Sequence, residues 1–208
     1  MKIIVVDSNK QFRLIPDSAL LLKHRPFFRP DYVQALYAKT ALVVKINRLG
    51  KYIQEKFTST YYDEIGFAIH FYDKIGLDLQ IEKGFPWERA TCFDGSFALS
   101  EFMKISEISE CCAVETGHAP FHAGADVLVR ANSANNFSPL QASPQTFSIT
   151  PVLHQIPTII SELSTHMTLK IGDYIAIELG EINSAPFEIN DVLRLSLDEK
   201  EVVRVVVK

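Results

Sequence analysis

The one grouping of metal-ligand side chains in the sequence is Cys111, Cys112, Glu115, His118 and His122. Two histidines four residues apart share one face of a helix and suit a zinc ion there. Gly117, Pro120 and Gly124 interrupt any helix over this stretch, and no Cys-x-x-Cys pair accompanies it, so the segment reads as loop packing. Cys92 is the third cysteine; three cannot all pair, and adjacent Cys111 and Cys112 cannot bridge each other without strain. All three read as structural free thiols. Asp94-Gly95-Ser96 sets a hydroxyl in a turn, but no Gly-x-Ser-x-Gly elbow, Walker loop or dinucleotide fingerprint occurs in the chain.

The elements that must position any site follow from composition and periodicity. A chain of 208 residues fits one domain, residues 1–208, that buries roughly 70% of its unfolded surface. Hydrophobic residues at 47% and charged residues at 22% are the balance of an ordinary globular protein. A net charge of -4, with no run of Lys or Arg interleaved with aromatics, argues against nucleic acid as a partner. The apolar start Ile3 to Val6 meets Asp7 at once, too short for a signal-peptide core or a membrane span, and the expected location is cytoplasmic.

Met1 to Val6 reads as a short buried strand, closed by the turn residues Asp7-Ser8-Asn9. Ala19 to Leu22 is a strand segment, and Ala41 to Ile46 is the clearest interior strand. Phe57, Tyr61, Tyr62 and Ile65 have helical spacing over 54–64, before an apolar strand from Ile65 to Phe71. These aromatics, with Phe67 and Phe71, read as core or dimer interface. A helix is expected from about Tyr72 to Lys83, with Ile75 and Leu79 on one face, Asp73 at its cap and Gly84 as its stop. Ala125 to Ala131 alternates as a strand, Pro151 to Ser164 has helical spacing, Tyr174 to Ile177 is a strand, and Val192 to Val207 is a hairpin. The sum is an α+β fold, mostly β.

Five segments, in order along the chain, resemble the fumarylacetoacetate hydrolase family: FRLIPDSA (Phe12 to Ala19), LVVKINRLGKYIQEK (Leu42 to Lys56), YYDEIGFAIHF (Tyr61 to Phe71), EKGFPWERATCFDGS (Glu82 to Ser96) and TLKIGD (Thr168 to Asp173). The resemblance implies the mixed β-sandwich roll of that family's C-terminal domain, usually a homodimer. It also implies a Mg²⁺ or Mn²⁺ ion, held by three carboxylates, that chelates a β-keto or β-diketo acid for hydrolysis, isomerisation or decarboxylation. A hard cation needs anionic oxygen ligands and open positions for the substrate.

Carried over residue by residue, the resemblance places those three carboxylates on Lys39, Ala41 and His70, and the family's substrate-holding Lys on Thr91. The family's mobile lid, with its His and Glu, is reduced to Asp7 to Gln11; the Lys of its KPDSA-like segment is Ile15, and its Thr-Gly-Thr-Pro turn is Ile177-Glu178-Leu179-Gly180. Exchanging three carboxylates for an ammonium, a methyl and a neutral imidazole moves the local charge from about -3 to about +1. An ammonium ~4 Å from a divalent ion repels it by ~8 kcal/mol at an effective dielectric of ~20.

The expectation is therefore a family homologue without a metal cofactor and without the usual catalysis, acting as a binding or interaction protein. Lys39, His70 and Thr91 would be what is left of an organic-acid pocket. His70 is the weak candidate for a general base or a ligand to a softer metal; the plainer reading is space-filling, with a bond to a backbone carbonyl. The alternative is a hydrolase, isomerase or decarboxylase of keto acids with an altered site, and a third reading is a structural partner of an active paralogue.

Overall fold

The computed structural model describes residues 1–21, 25–111, 126–132, 145–182, 185–197 and 200–208. Twelve strands and four α-helices alternate along them. β1 (Ile3–Val6), β2 (Phe12–Ile15), β3 (Leu20–Leu21), β4 (Leu36–Lys45) and β5 (Glu64–Asp73) lead into α1 (Lys74–Lys83) and α2 (Glu88–Thr91). β6 (Phe97–Leu99), β7 (Met103–Lys104) and α3 (Ile105–Cys111) follow, then β8 (Asp126–Asn132), β9 (Gln145–Ser148) and α4 (Thr150–His166). β10 (Tyr174–Glu181), β11 (Val192–Leu197) and β12 (Lys200–Val206) complete the described elements. The fold is α+β and mostly β.

One sheet runs β2-β1-β10-β4-β5-β6-β3, with β7 added to β5; a second, antiparallel sheet runs β12-β11-β8-β9. β4 and β5 are central strands, covered on both faces, which is why their sequences are near-continuous apolar runs. On one face Ile4, Leu42, Val44, Phe67 and Ile69 share a core with Ile156, Ile160 and Leu163 of α4 and with Leu193 and Val205 of the second sheet. The helical spacing read from Ile156 to Leu163 is thus a buried stripe. On the other face a smaller cluster forms from Ile3, Val5, Ile15, Ala41, Val43, Ala68, Phe97 and Ala176.

Several boundaries differ from the sequence reading, each for a physical reason. Helical spacing over 54–64 resolves into a short 3-10 helix, Glu55–Thr60; Phe57 is exposed, while Tyr61 and Tyr62 pack partly against the core. Tyr72 and Asp73 end β5 instead of opening the helix. Asp73 stands at the cap position without a capping bond; its buried carboxylate accepts from the N–H of Ala35 at 3.0 Å. Gly84 ends α1 in the left-handed conformation (φ 67). α1 buries none of its residues, and Ile75 and Leu79 are exposed. Cys112, Glu115, His118 and His122 lie outside the described residues, and Cys111 closes α3.

Candidate functional site

Strand register decides which side chains meet on the face that carries the smaller cluster. Lys39 of β4 pairs with His70 of β5, His70 with Phe97 of β6, and Lys39 with Glu181 of β10, forming one row across four strands. The next row joins Glu178, Ala41 and Ala68. Glu178 and Glu181 are three apart and would face opposite sides of a regular strand. The register shift between Glu178 and Gly180 adds one residue and returns both to the face of Lys39. Arg13 reaches the same face from β2, opposite Val5 and two residues before Ile15.

These side chains form a closed ion-pair cluster. The Lys39 ammonium donates to Glu178 Oε2 at 2.8 Å, and the Arg13 guanidinium donates to Glu178 Oε1. The Glu178 side chain is only 6% exposed, against 24% for Lys39 and 15% for Arg13. Burial alone would push the Glu178 carboxyl up; Arg13 and Lys39 outweigh it and hold it below the usual carboxylate range. Tyr72 O–H donates to Glu181 Oε1 at 2.6 Å, and the Lys39 ammonium lies 5.6 Å from the centre of the Tyr72 ring.

His70 is 1% exposed, and its Nε2 lies 2.9 Å from the carbonyl oxygen of Thr91. A carbonyl can only accept, so Nε2 carries the proton and Nδ1 is a bare acceptor, buried and without a partner among the described residues. Burial and the Arg13 charge lower the imidazole pKa, the Thr91 carbonyl and Glu178 oppose them, and Lys39 adds to the depression; the result is about 4. The ring is neutral at pH 7 and a weak base. Thr91 Oγ1 donates to the Trp87 carbonyl at 3.1 Å, so Thr91 supplies His70 with an acceptor and α2 with an internal bond.

A divalent ion does not suit this donor set. Lys39, Ala41 and His70 present an ammonium, a methyl and an imidazole whose Nε2 is engaged. Glu178, which reasoning from the sequence did not single out, spends both of its oxygens on cations. Among the described residues, no three His, Cys, Asp or Glu side chains converge to hold a metal.

Beside the cluster opens a cavity of about 380 Å³, with Phe12, Arg13 and Leu14 of β2 on one wall and Pro86, Trp87 and Thr91 on the other. Cys92 also lines it, half-buried, its thiol 3.8 Å from the Leu14 carbonyl. Burial is the largest influence on that thiol and holds it protonated. Arg13 was passed over as part of a motif, although an arginine inside an apolar strand start is itself a signal of an inward charge seeking a partner.

No protein-family model matches this sequence, and no curated protein does. Solved structures do match. A protein of Yersinia pestis CO92 assigned to the fumarylacetoacetate hydrolase family superposes with a TM-score of 0.78 at 20% identity, covering 100% of this chain and 92% of that one. A fumarylpyruvate hydrolase from Pseudomonas aeruginosa, solved with Mn²⁺ and pyruvate, gives 0.74 at 15% identity, over 100% and 89%. A yeast fumarylacetoacetate hydrolase family protein gives 0.75 at 14%, over 100% and 92%. The chain has the fumarylacetoacetate hydrolase fold.

Proposed function

We propose that this chain is a divergent member of the fumarylacetoacetate hydrolase family that has given up its metal-dependent chemistry and binds a small organic acid. The observation that carries the reading is the Glu178 carboxylate held between Lys39 and Arg13. A carboxylate of the chain itself sits among the cations, on the face where the family pattern puts a metal and a chelated acid. The cluster of Arg13, Lys39 and Glu178 retains one net positive charge beside an open cavity.

Calorimetric titration with Mg²⁺ and Mn²⁺, with and without oxalate, tests the reading. The expected result is no binding heat at millimolar metal in either case. Micromolar, oxalate-enhanced binding would overturn it. Cavity and charge fit a binding protein; the activities of the structural neighbours favour the alternative of a working hydrolase or isomerase. Assays of acylpyruvate hydrolysis and oxaloacetate decarboxylation separate the two.

The same reading includes a homodimer. α1 buries none of its residues, and Ile75, Leu79, Ile81 and Phe85 stand exposed along it and just beyond. An isolated ten-residue helix is marginal in water, so a helix of this kind gains stability from a covering surface. Sedimentation velocity should show a species of twice the chain mass.

A further inference from the structure

We propose that the free edge of β12 binds an extended acidic segment of a partner protein by strand addition, at a site that shares no residue with the ion-pair cluster and does not depend on the organic-acid reading. β12 is the terminal strand of the second sheet. Beside it lies a cavity of about 720 Å³ that touches every residue from Glu201 to Val206 and, across from them, Ala98 to Glu101. Successive side chains of a strand point to opposite faces, so a cavity that follows every residue runs along the main-chain edge.

One contact already made on that edge shows which main-chain groups face it. Phe27 N–H donates to the Val206 carbonyl at 2.9 Å, and Lys208 N–H donates to the Phe27 carbonyl at 2.7 Å. Val206 therefore faces away from β11, and by alternation so do the N–H and C=O of Arg204, which have no partner among the described residues. An open strand edge is a template for pairing with another chain. The register shift opposite Leu195 and Ser196 ends the regular part of the edge at Val203, so the site suits a segment of only a few residues.

Charge selects the segment. Arg204 stands directly opposite Arg194, and like charges in that position cost stability. Arg194 has Glu201 at 3.6 Å, whereas Arg204 is exposed and without an acidic partner among the described residues. Arg25 and Lys208 add cations to the lining, Lys208 already donating to Asn190; Glu101 and the engaged Glu201 are its acids. In an antiparallel pair the residue opposite Arg204 exchanges two main-chain bonds with it and carries its side chain on the same face, so Glu or Asp fits there. Leu21 and Leu99 supply apolar surface for its neighbours.

Calorimetry on the full chain with acetyl-Ser-Val-Glu-Val-Glu-Val-Ser-amide should show saturable binding. The same peptide with lysine for both glutamates, or with both glutamate nitrogens methylated, should bind at least tenfold more weakly, the first through charge and the second through loss of the bond to the Arg204 carbonyl. R204E should reverse the preference between acidic and basic peptides. No saturable binding, a basic peptide as tight as the acidic one, or no effect of methylation would overturn the proposal; these comparisons use the unaltered chain and do not depend on a variant folding. Affinity that falls as the chain is concentrated would put a second copy on the edge, and displacement by succinate would make the site one for small anions; either would overturn it too.

Discussion

The Lys39 ammonium and the Glu178 carboxylate meet at 2.8 Å although their strands place them in different rows: Lys39 lies opposite Glu181, and Glu178 opposite Ala41. The contact is diagonal, made possible by the bulge in β10 and by the methyl of Ala41, which leaves room beside Glu178. The Glu178 carboxylate is thereby held between two cations, Lys39 and Arg13.

The bulge depends on Gly180. A Cβ there would lie 2.5 Å from the Phe147 ring, a contact only a backbone or ring shift could relieve. The G180A variant should lose roughly 1–3 kcal/mol in urea denaturation. It should also disturb the Tyr72–Glu181 bond, read as a shift of the last part of the tyrosine ionisation at 295 nm to lower pH, because burial and that bond hold the Tyr72 phenol well above its ordinary range.

His70 makes stability depend on pH in a window of its own. Its folded pKa of about 4 lies below the ordinary 6.5, so the unfolded chain takes up a proton first as pH falls. Stability is complete above about pH 6.5 and should decline by about 3 kcal/mol on approach to pH 4. Glu178 acts lower: its depressed folded pKa gives stability that is present above roughly 4.3 and lost as pH falls through the folded value. Urea unfolding between pH 7 and 4.5 should show the His70 slope, and H70F should flatten it. An unchanged slope in H70F would assign it elsewhere.

Asp73 holds the start of β4, and with it the strand that carries Lys39. Replacing it in D73A leaves the buried Ala35 N–H without its acceptor and should cost about 1–3 kcal/mol. D73N keeps an oxygen in place and should cost less. Equal losses would point to a role in charge rather than in hydrogen bonding.

The interior strands were legible because apolar runs have few alternatives; β1, β5 and the buried stripe of α4 lie where periodicity puts them, while β4 begins at Leu36, ahead of the apolar run from Ala41, because Lys39 and Thr40 interrupt the pattern. Lys39, Ala41, His70 and Thr91 were legible only through resemblance, since nothing in their own spacing says that Lys39 and His70 are cross-strand neighbours. Arg13 and Glu178 carried a signal of their own, a charge in phase with inward-facing residues, as with Tyr174, Ala176 and Glu178. That pattern announces a buried charge but not its partner, which a strand 165 residues away supplies. The bulge was illegible, because the residue that permits it is accommodated by Phe147, distant in sequence. Asp73 does stand at the cap position of α1, but its carboxylate accepts from the N–H of Ala35, 38 residues away, a partner that local sequence does not reveal.

The most direct test of the account is a double-mutant cycle on this diagonal pair, measuring urea stability of the wild type, K39M, E178Q and K39M/E178Q at pH 7. If Glu178 and Lys39 hold each other as the geometry has it, each single change should destabilise and the cycle should return a favourable coupling of about 1–2 kcal/mol, the range expected for contacting charges that are only partly exposed. A coupling indistinguishable from zero would mean that the two side chains act independently, and the closed ion-pair cluster would have to be given up.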